Sequence, residues 1–204
     1  MKIIFTTIPI KEHIEALHYP VAGNKVIEYE GAVSFPVNSV LAKTMQKGET
    51  VKVVRLMNDT GASKQNAERF RAELESVNKA IGANISFYDI VESFTEDKET
   101  HEMRFRKLLD FLEPGAEIIA DITYGQKTLP IVLFCALHFA EKFFNANIKY
   151  IIYGKVEFEG GQIKAGTQVL YDLTPLYYLD SLTAAMEAPN EQAAIKAIDT
   201  FFAL

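Results

Sequence analysis

The fold class is decided by Ile118–Pro130, the stretch Ile-Ile-Ala-Asp-Ile-Thr-Tyr-Gly-Gln-Lys-Thr-Leu-Pro. Its apolar beginning predicts a buried strand, and Tyr124-Gly125 predicts a tight turn. Leu129-Pro130 predicts the start of a helix, because proline suits a first helical turn in which its missing N–H would be unpaired anyway. A buried strand that turns directly into a helix is typical of α/β proteins, so the stretch favours that class.

The turn inside this stretch carries the groups that bind a phosphate. Gly125 permits a positive φ or a close approach of the backbone to a bound group. The amides and the dipole at the start of a helix favour an anion. Thr123 and Thr128 add hydroxyls, and Lys127 adds a full positive charge. From the loop alone, a solvated turn with a surface lysine is an equally good hypothesis.

Strands and helices alternate on both sides of the stretch, which predicts an open, doubly wound, Rossmann-like parallel sheet. In such sheets, ligands bind where strands end and helices begin. The predicted strands are Lys2–Thr7, Val51–Met57, Asn84–Val91, Ala116–Ile122 and Asn147–Tyr153, and the predicted helices are Ser34–Gln46, Lys64–Ile81, Glu99–Leu112 and Leu129–Phe144. Ser63 is the predicted N-cap of the second helix.

The pattern changes after Gly154. Val156–Phe158 and Thr167–Tyr171 alternate around Gly160-Gly161, which predicts a β-hairpin, and two terminal helices follow over Pro175–Ala188 and Asn190–Phe202. We expect one domain over residues 1–204, with a Rossmann-like core over 1–154 and the hairpin and helices over 155–204. Residues 8–31 have no clear pattern beyond a short predicted strand at Lys25–Tyr29.

Composition narrows the function classes. The net charge of −6 opposes direct binding of long nucleic acid, which is driven by a basic surface. Cys135 is the only cysteine, so no intramolecular disulfide can form, and its apolar surroundings predict a buried thiol. The apolar N-terminus is too short for a signal peptide, and no run reaches the ~20 apolar residues of a membrane span. We expect a cytoplasmic protein without membrane association, metal ion or cofactor.

Two common nucleotide-binding motifs are absent. A Walker A loop requires Gly-Lys-Ser/Thr, whereas Gln126 separates Gly125 from Lys127. A dinucleotide fingerprint requires Gly-x-Gly-x-x-Gly after the first strand, and that strand is followed by Ile8-Pro9.

Asp121–Pro130 resembles a signature of the CRISPR-associated Rossmann-fold (CARF) family: Asp, Ile or Leu, Thr, His, Gly, Phe or Gln, Arg or Lys, Ser or Thr, Leu, Pro. Tyr150–Gly154 resembles the family's Tyr-x-x-Tyr-Gly strand end, and Tyr171–Pro175 resembles its Asp-Leu-Thr element. Tyr124 stands where the family usually has histidine, and Lys127 stands where it often has arginine. The lysine keeps the charge but loses a bidentate fork.

The resemblance implies a homodimeric sensor of cyclic oligoadenylates, the second messengers of type III CRISPR antiviral signalling, with cyclic tetra-adenylate favoured. It places the phosphates on the loops after the first and fourth strands, and a ring with an even number of adenosines suits a two-fold site. Asn58, Ser63 and Asn66, after the second strand, are candidates to bind a base or ribose, with turn formation and helix capping as the alternative. The predicted ligand-binding residues are Thr6, Thr7, Ile8, Asn58, Ser63, Asn66, Thr123, Tyr124, Gly125, Gln126, Lys127 and Thr128.

Family sensors usually carry an effector domain, and no effector motif is found in this chain. We therefore expect either a sensing domain that regulates an effector on a longer protein or a self-contained member. A self-contained member is expected to be a metal-independent ring nuclease, in which Thr7 and Lys127 stabilise charge as a ribose 2′-OH attacks the adjacent phosphate. A third hypothesis is a Rossmann-like enzyme acting on another phosphorylated metabolite.

Overall fold

The computed structural model describes residues 1–92 and 95–203. These residues form a seven-stranded, mostly parallel sheet with helices, and a separate two-stranded hairpin. The strands are β1 (Lys2–Thr7), β2 (Val21–Ala22), β3 (Thr50–Asn58), β4 (Asn84–Glu92), β5 (Glu117–Asp121), β6 (Asn147–Lys155), β7 (Phe158–Glu159), β8 (Gln162–Ile163) and β9 (Val169–Asp172). The helices are α1 (Pro36–Thr44), α2 (Gly61–Asn78), α3 (Lys98–Leu109), α4 (Leu129–Phe144), α5 (Thr174–Ala185) and α6 (Glu191–Phe202).

The order of the strands in the sheet is β2-β9-β6-β5-β1-β3-β4. The five strands from β6 to β4 are parallel, β9 pairs antiparallel with β6, and β2 pairs with β9. The chain winds outward from β1 to β4 and then returns to the other side of β1 at β5. The sheet thus has its topological switch point between β1 and β5, where ligands bind in folds of this type. The predicted Rossmann-like fold class is confirmed.

Burial on both faces of the sheet explains why the central strands are apolar. β1 is a continuous apolar run because helices cover both faces of a parallel sheet, and Ile3, Ile4 and Phe5 are fully buried. In β5, Ile118, Ile119 and Ala120 are also fully buried. This core fixes the carboxyl ends of β1 and β5 side by side.

The helices begin and end at recognisable signals. α4 has the predicted bounds, with Pro130 in its first turn and Asn145 in the left-handed conformation at its end. In α2, Phe70 and Leu74 lie four residues apart on one face of the helix and are buried. Its N-cap is Thr60 rather than Ser63, since the Thr60 side chain accepts a hydrogen bond from the Ser63 N–H at 3.2 Å.

Three local predictions were wrong. Lys25–Ile27 forms a 3₁₀ turn instead of a strand. The segment that ends at Tyr171 was expected to pair with Val156–Phe158, but it joins the main sheet as β9. It pairs there with the open edge of β6 over four residue pairs, a longer ladder than the two pairs of β7 with β8. The hairpin itself is shorter and joins β7 to β8. Cys135 is exposed because it lies on the outer side of α4.

The described chain divides into two compact units, residues 1–174 and a second unit that begins at Pro175. The whole seven-stranded sheet and the hairpin belong to the first unit. The second unit contains most of α5 and all of α6, which Asn190 caps by accepting a hydrogen bond from the Ala193 N–H. None of the helices in the described part of the chain has the length and apolar character needed to cross a bilayer.

Candidate functional site

A cavity of about 560 Å³ lies at the carboxyl edge of the sheet in the first unit. This volume is within the range of small-molecule sites in proteins. The cavity is lined by the ends of β1, β3, β4, β5 and β6, by the loop of residues 8–20 and by the β7–β8 hairpin. Seven of the predicted ligand-binding residues line it: Thr7, Ile8, Asn58, Thr123, Tyr124, Gly125 and Gln126.

The turn between β5 and α4 contains a glycine that no other residue could replace without strain. Gly125 has φ +105°, and a Cβ built on it would lie 2.9 Å from Thr7 Cγ2 and 3.0 Å from Leu129 Cδ2. The turn therefore packs directly against the end of β1. The two loops that were predicted to hold phosphates are in contact at the cavity wall.

The same turn leaves a run of backbone donors unused. Within residues 1–92 and 95–203, the N–H groups of Gly125, Gln126, Lys127 and Thr128 donate to no other group, while the Leu129 N–H bonds to Gln126 O at 3.1 Å. Consecutive unpaired amides at the start of a helix form an anion-binding concavity. The unpaired donors thus lie in the turn rather than in the first helical residues.

A buried carboxylate holds the turn in place. Asp121 accepts hydrogen bonds from Thr6 Oγ1 at 3.0 Å and from the Thr123 N–H at 2.9 Å. The Thr123 hydroxyl in turn accepts from the Gly154 N–H at 2.9 Å. Burial raises the pKa of Asp121 above its ordinary value, against the lowering effect of these donors. Thr6 is buried and supports Asp121, so its hydroxyl faces a carboxylate rather than the cavity.

Tyr124 is a neutral hydrogen-bond donor. Its hydroxyl donates to Ser34 O at 3.3 Å. Burial, reinforced by Tyr19 and by the carboxylates of Asp121 and Glu73, raises its pKa above the ordinary value for tyrosine. Tyr124 therefore stays protonated at neutral pH and cannot act there as a general base.

Lys127 and Thr128 lie outside the cavity lining. Lys127 is exposed, so its ammonium can reach a group at the cavity rim or on a neighbouring molecule. Thr128 donates its hydroxyl to Glu96 Oε1 at 3.0 Å, which ties the turn to the loop that precedes α3.

Ser63 and Asn66 are buried beneath the cavity edge and support its loops. Ser63 Oγ accepts from the Asn58 N–H at 3.2 Å. The Asn66 amide donates to Pro9 O at 2.9 Å and to Lys11 O at 2.8 Å, so it anchors the loop of residues 8–20. Only Asn58 of this predicted group lines the cavity.

Two polar features of the cavity were not predicted from the sequence. The Lys11 ammonium lies 4.3 Å from the ring centre of Phe158, so the loop of residues 8–20 meets the β7–β8 hairpin. Glu92 and Arg104 form an ion pair with Nε 2.7 Å from Oε2, and both line the cavity. A signal was present for Glu92, because it is the last residue of a parallel strand and therefore lies at the ligand-binding edge.

Fold and cavity together define a Rossmann-like α/β protein with a turn of unpaired backbone amides at its switch point. No protein-family model matches the chain, and no curated protein matches it significantly. The family resemblance accordingly depends on the motif residues alone.

Proposed function

We propose that this chain binds a cyclic oligoadenylate, with cyclic tetra-adenylate favoured, as a homodimer that regulates an effector in type III CRISPR signalling. The observation that carries the proposal is the run of unpaired amides at Gly125–Thr128 beside the cavity. Such a run is suited to a phosphate, and the adjoining cavity has room for a nucleoside.

The protein's overall acidity is compatible with an anionic ligand. The turn supplies backbone donors, which carry no titratable charge, and the exposed Lys127 adds a cation close to them. In a two-fold dimer, two copies of the turn would face opposite phosphates of one ring. Each cavity would then hold one of the adenosines.

Isothermal titration of the protein with cyclic tetra-adenylate, cyclic hexa-adenylate and linear tetra-adenylate tests the proposal. We expect a cyclic ring to bind with one ring per two chains, and light scattering to show a dimer at the same concentration. No heat with any of the rings would refute the proposal. Binding of one small phosphorylated metabolite per monomer would instead support the hypothesis of a metabolite enzyme.

The ring-nuclease alternative is favoured by the position of Thr7. Its side chain packs on Gly125, and its hydroxyl has no hydrogen-bond partner within the described chain. In that reaction a ribose 2′-oxygen forms a bond to the adjacent phosphorus, the P–O5′ bond breaks, and the proton passes from the 2′-oxygen to the 5′-oxygen. Thr7 and Lys127 would stabilise the charge that develops on the phosphoryl oxygens.

Incubation of cyclic tetra-adenylate with the protein in EDTA, followed by chromatography, tests this alternative. We expect linear di-adenylate, and we expect the isosteric Thr7→Val variant to produce it about 100-fold more slowly, as for loss of one transition-state donor. Intact ring after hours of incubation with the native protein would refute cleavage and leave the binding proposal standing.

A further inference from the structure

The strand β4 presents an open row of backbone groups at one edge of the sheet. It is the last strand in the sheet order, and within the described residues β3 is its one neighbour. The Asn84 N–H donates to Glu49 O at 2.8 Å, so the even-numbered residues of β4 direct their N–H and C=O groups toward β3. In residues 1–92 and 95–203, no hydrogen bond is made by the outward groups of the odd-numbered residues, which are Ile85, Phe87, Asp89 and Val91.

β4 lacks the features that usually protect a sheet edge from another strand. Protected edges are short, or they carry lysine, proline or a β-bulge. β4 pairs with β3 in unbroken register from Asn84 to Glu92, and its sequence contains neither lysine nor proline. Tyr88 and Val91 are large apolar side chains that are 40% and 41% exposed. The strand is therefore suited to pair with a further strand.

A second copy of β4 is complementary to the first when the two strands run antiparallel with the two-fold axis at Tyr88. All outward residues then have partners, because Ile85 lies opposite Val91 and Phe87 lies opposite Asp89, and each such pair exchanges two hydrogen bonds. The two copies of Tyr88 form an aromatic cross-strand pair. A shift of two residues in one direction would place Asp89 opposite Asp89, where like charges repel, and a shift in the other would leave Val91 without a strand residue opposite.

The charges beside β4 favour the same register. Arg71 of α2 has Cζ 4.8 Å from the ring centre of Phe87, and it makes no ion pair or hydrogen bond within the described chain. Phe87 and Asp89 share one face of the strand, so Asp89 of the second copy would arrive beside Phe87 and next to Arg71. Asp89 already binds Arg55 but is 38% exposed, and a carboxylate has acceptor sites for two arginines. The two-fold axis would form this new ion pair twice.

We propose that β4 is a self-association edge, at which two copies of this chain join their sheets into one continuous sheet. Because the two β4 strands run antiparallel, the carboxyl edges of the two sheets face opposite directions. This interface is therefore separate from one that encloses a ring between two copies, and it does not depend on the proposed function. Pairing of single strands gives a small, weak interface, so we expect it to form at protein concentrations well above those of the titrations.

Disulfide cross-linking in the Cys135→Ser protein, without nucleotide, tests the register. In the proposed pair, the Cα atoms of the two copies of position 88 are about 4.5 Å apart, which suits a disulfide. Val91→Cys is the matched control, since position 91 is equally exposed on the same edge but its two copies are about 20 Å apart. We expect oxidation with copper phenanthroline to cross-link Tyr88→Cys at least tenfold more than Val91→Cys. Equal cross-linking of the two variants, or none in either, would overturn the proposal.

Light scattering over a range of protein concentrations tests the association without introduced thiols. We expect the mass of the native protein to rise about twofold with concentration, and that of Tyr88→Lys to stay constant, because two lysines would face each other at the axis. The control Val26→Lys changes a side chain that is 76% exposed outside the sheet, and it should associate like the native protein. A constant native mass, or unchanged association of Tyr88→Lys, would overturn the proposal and leave the proposed function intact. Failure of every ring to bind would refute the proposed function and leave the β4 edge intact.

Discussion

Replacement of Gly125 by alanine tests the packing of the turn between β5 and α4. Two effects add at this position: φ +105° is outside the range that alanine adopts easily, and the new Cβ would lie 2.9 Å from Thr7 Cγ2 and 3.0 Å from Leu129 Cδ2. Both contacts are shorter than ordinary carbon–carbon separations. Relief would require the turn to move away from the end of β1.

The cost can be bounded from these two effects. Backbone strain at such a φ costs about 1–2 kcal/mol, and overpacking costs about 1–3 kcal/mol. Their sum of about 2–5 kcal/mol is less than the stability of most domains, so we expect the variant to fold. For a chain of this size it corresponds to a fall in Tm of about 5–15 °C.

Two matched glycines separate the contributions. Gly115 has φ +70° and no atom within 4 Å of a built Cβ, so Gly115→Ala isolates backbone strain of about 1 kcal/mol. Gly61 has an ordinary φ and equally open surroundings, so Gly61→Ala should change stability by less than about 0.5 kcal/mol.

Urea denaturation followed by circular dichroism gives the stabilities, and titration with cyclic tetra-adenylate gives the affinities. We expect Gly125→Ala to be the least stable of the three variants and the only one with weakened binding. A Gly125→Ala protein as stable as Gly115→Ala would refute the close packing of the turn on Thr7. Normal affinity in a destabilised Gly125→Ala protein would refute contact between the turn and the ligand.

Three further predictions concern the supports and the charge of the site. Lys127→Glu should weaken binding of cyclic tetra-adenylate at least tenfold and leave Tm unchanged, because the lysine is exposed. The control Lys79→Glu, which changes an exposed lysine at the end of α2, should leave both the affinity and Tm unchanged. Asn66→Ala should lower the free energy of unfolding by about 1–3 kcal/mol in urea denaturation, since the carbonyls of Pro9 and Lys11 lose their donor. Burial raises the folded pKa of Asp121 above 3.8, so its contribution to stability is fully present below that pH and is lost as pH rises through the folded value. The stability of Asp121→Asn relative to the native protein should therefore increase from pH 3 to pH 7 in the same assay, and a constant difference would contradict the raised pKa.

The parallel core of the fold could be predicted because its signals are local. Each central strand is a continuous apolar run, and α4 is bounded by Pro130 and Asn145. The edge of the sheet could not be predicted in the same way. The strand β9 was expected to pair with Val156–Phe158, but it pairs with β6. The alternation of apolar residues indicates a strand and does not indicate which strand it pairs with. Residues 8–20 form a loop whose place depends on distant groups such as Asn66, for which the local sequence has no signal.

The candidate site was predictable where chain neighbours form it. The turn at Gly125 is one continuous segment, so its glycine, hydroxyls and lysine are visible together in the sequence. Glu92 and Arg104 lie on different elements and become a pair only when α3 folds back on β4. Arg104 was not singled out in the sequence, because no helical pattern distinguishes a cavity-lining arginine from an exposed one.

The Asp-x-Thr elements in the motifs that suggest the family mainly provide hydrogen-bond acceptors for the backbone of β6. Asp172 accepts from the Thr174 N–H at 3.0 Å, and Thr174 Oγ1 accepts from the Ile151 N–H at 2.9 Å. Asp121 and Thr123 repeat this arrangement with the Gly154 N–H at the other side of the strand.

Both Asp-x-Thr elements thus satisfy backbone donors of one strand, a task that any ligand would leave unchanged. Substitution of Asp121 or Thr123 is therefore expected to destabilise the sheet whichever ligand the cavity takes. It follows that substitutions in the Asp-x-Thr elements test the fold, whereas ligand binding is tested at residues that do not support the strands, such as Lys127.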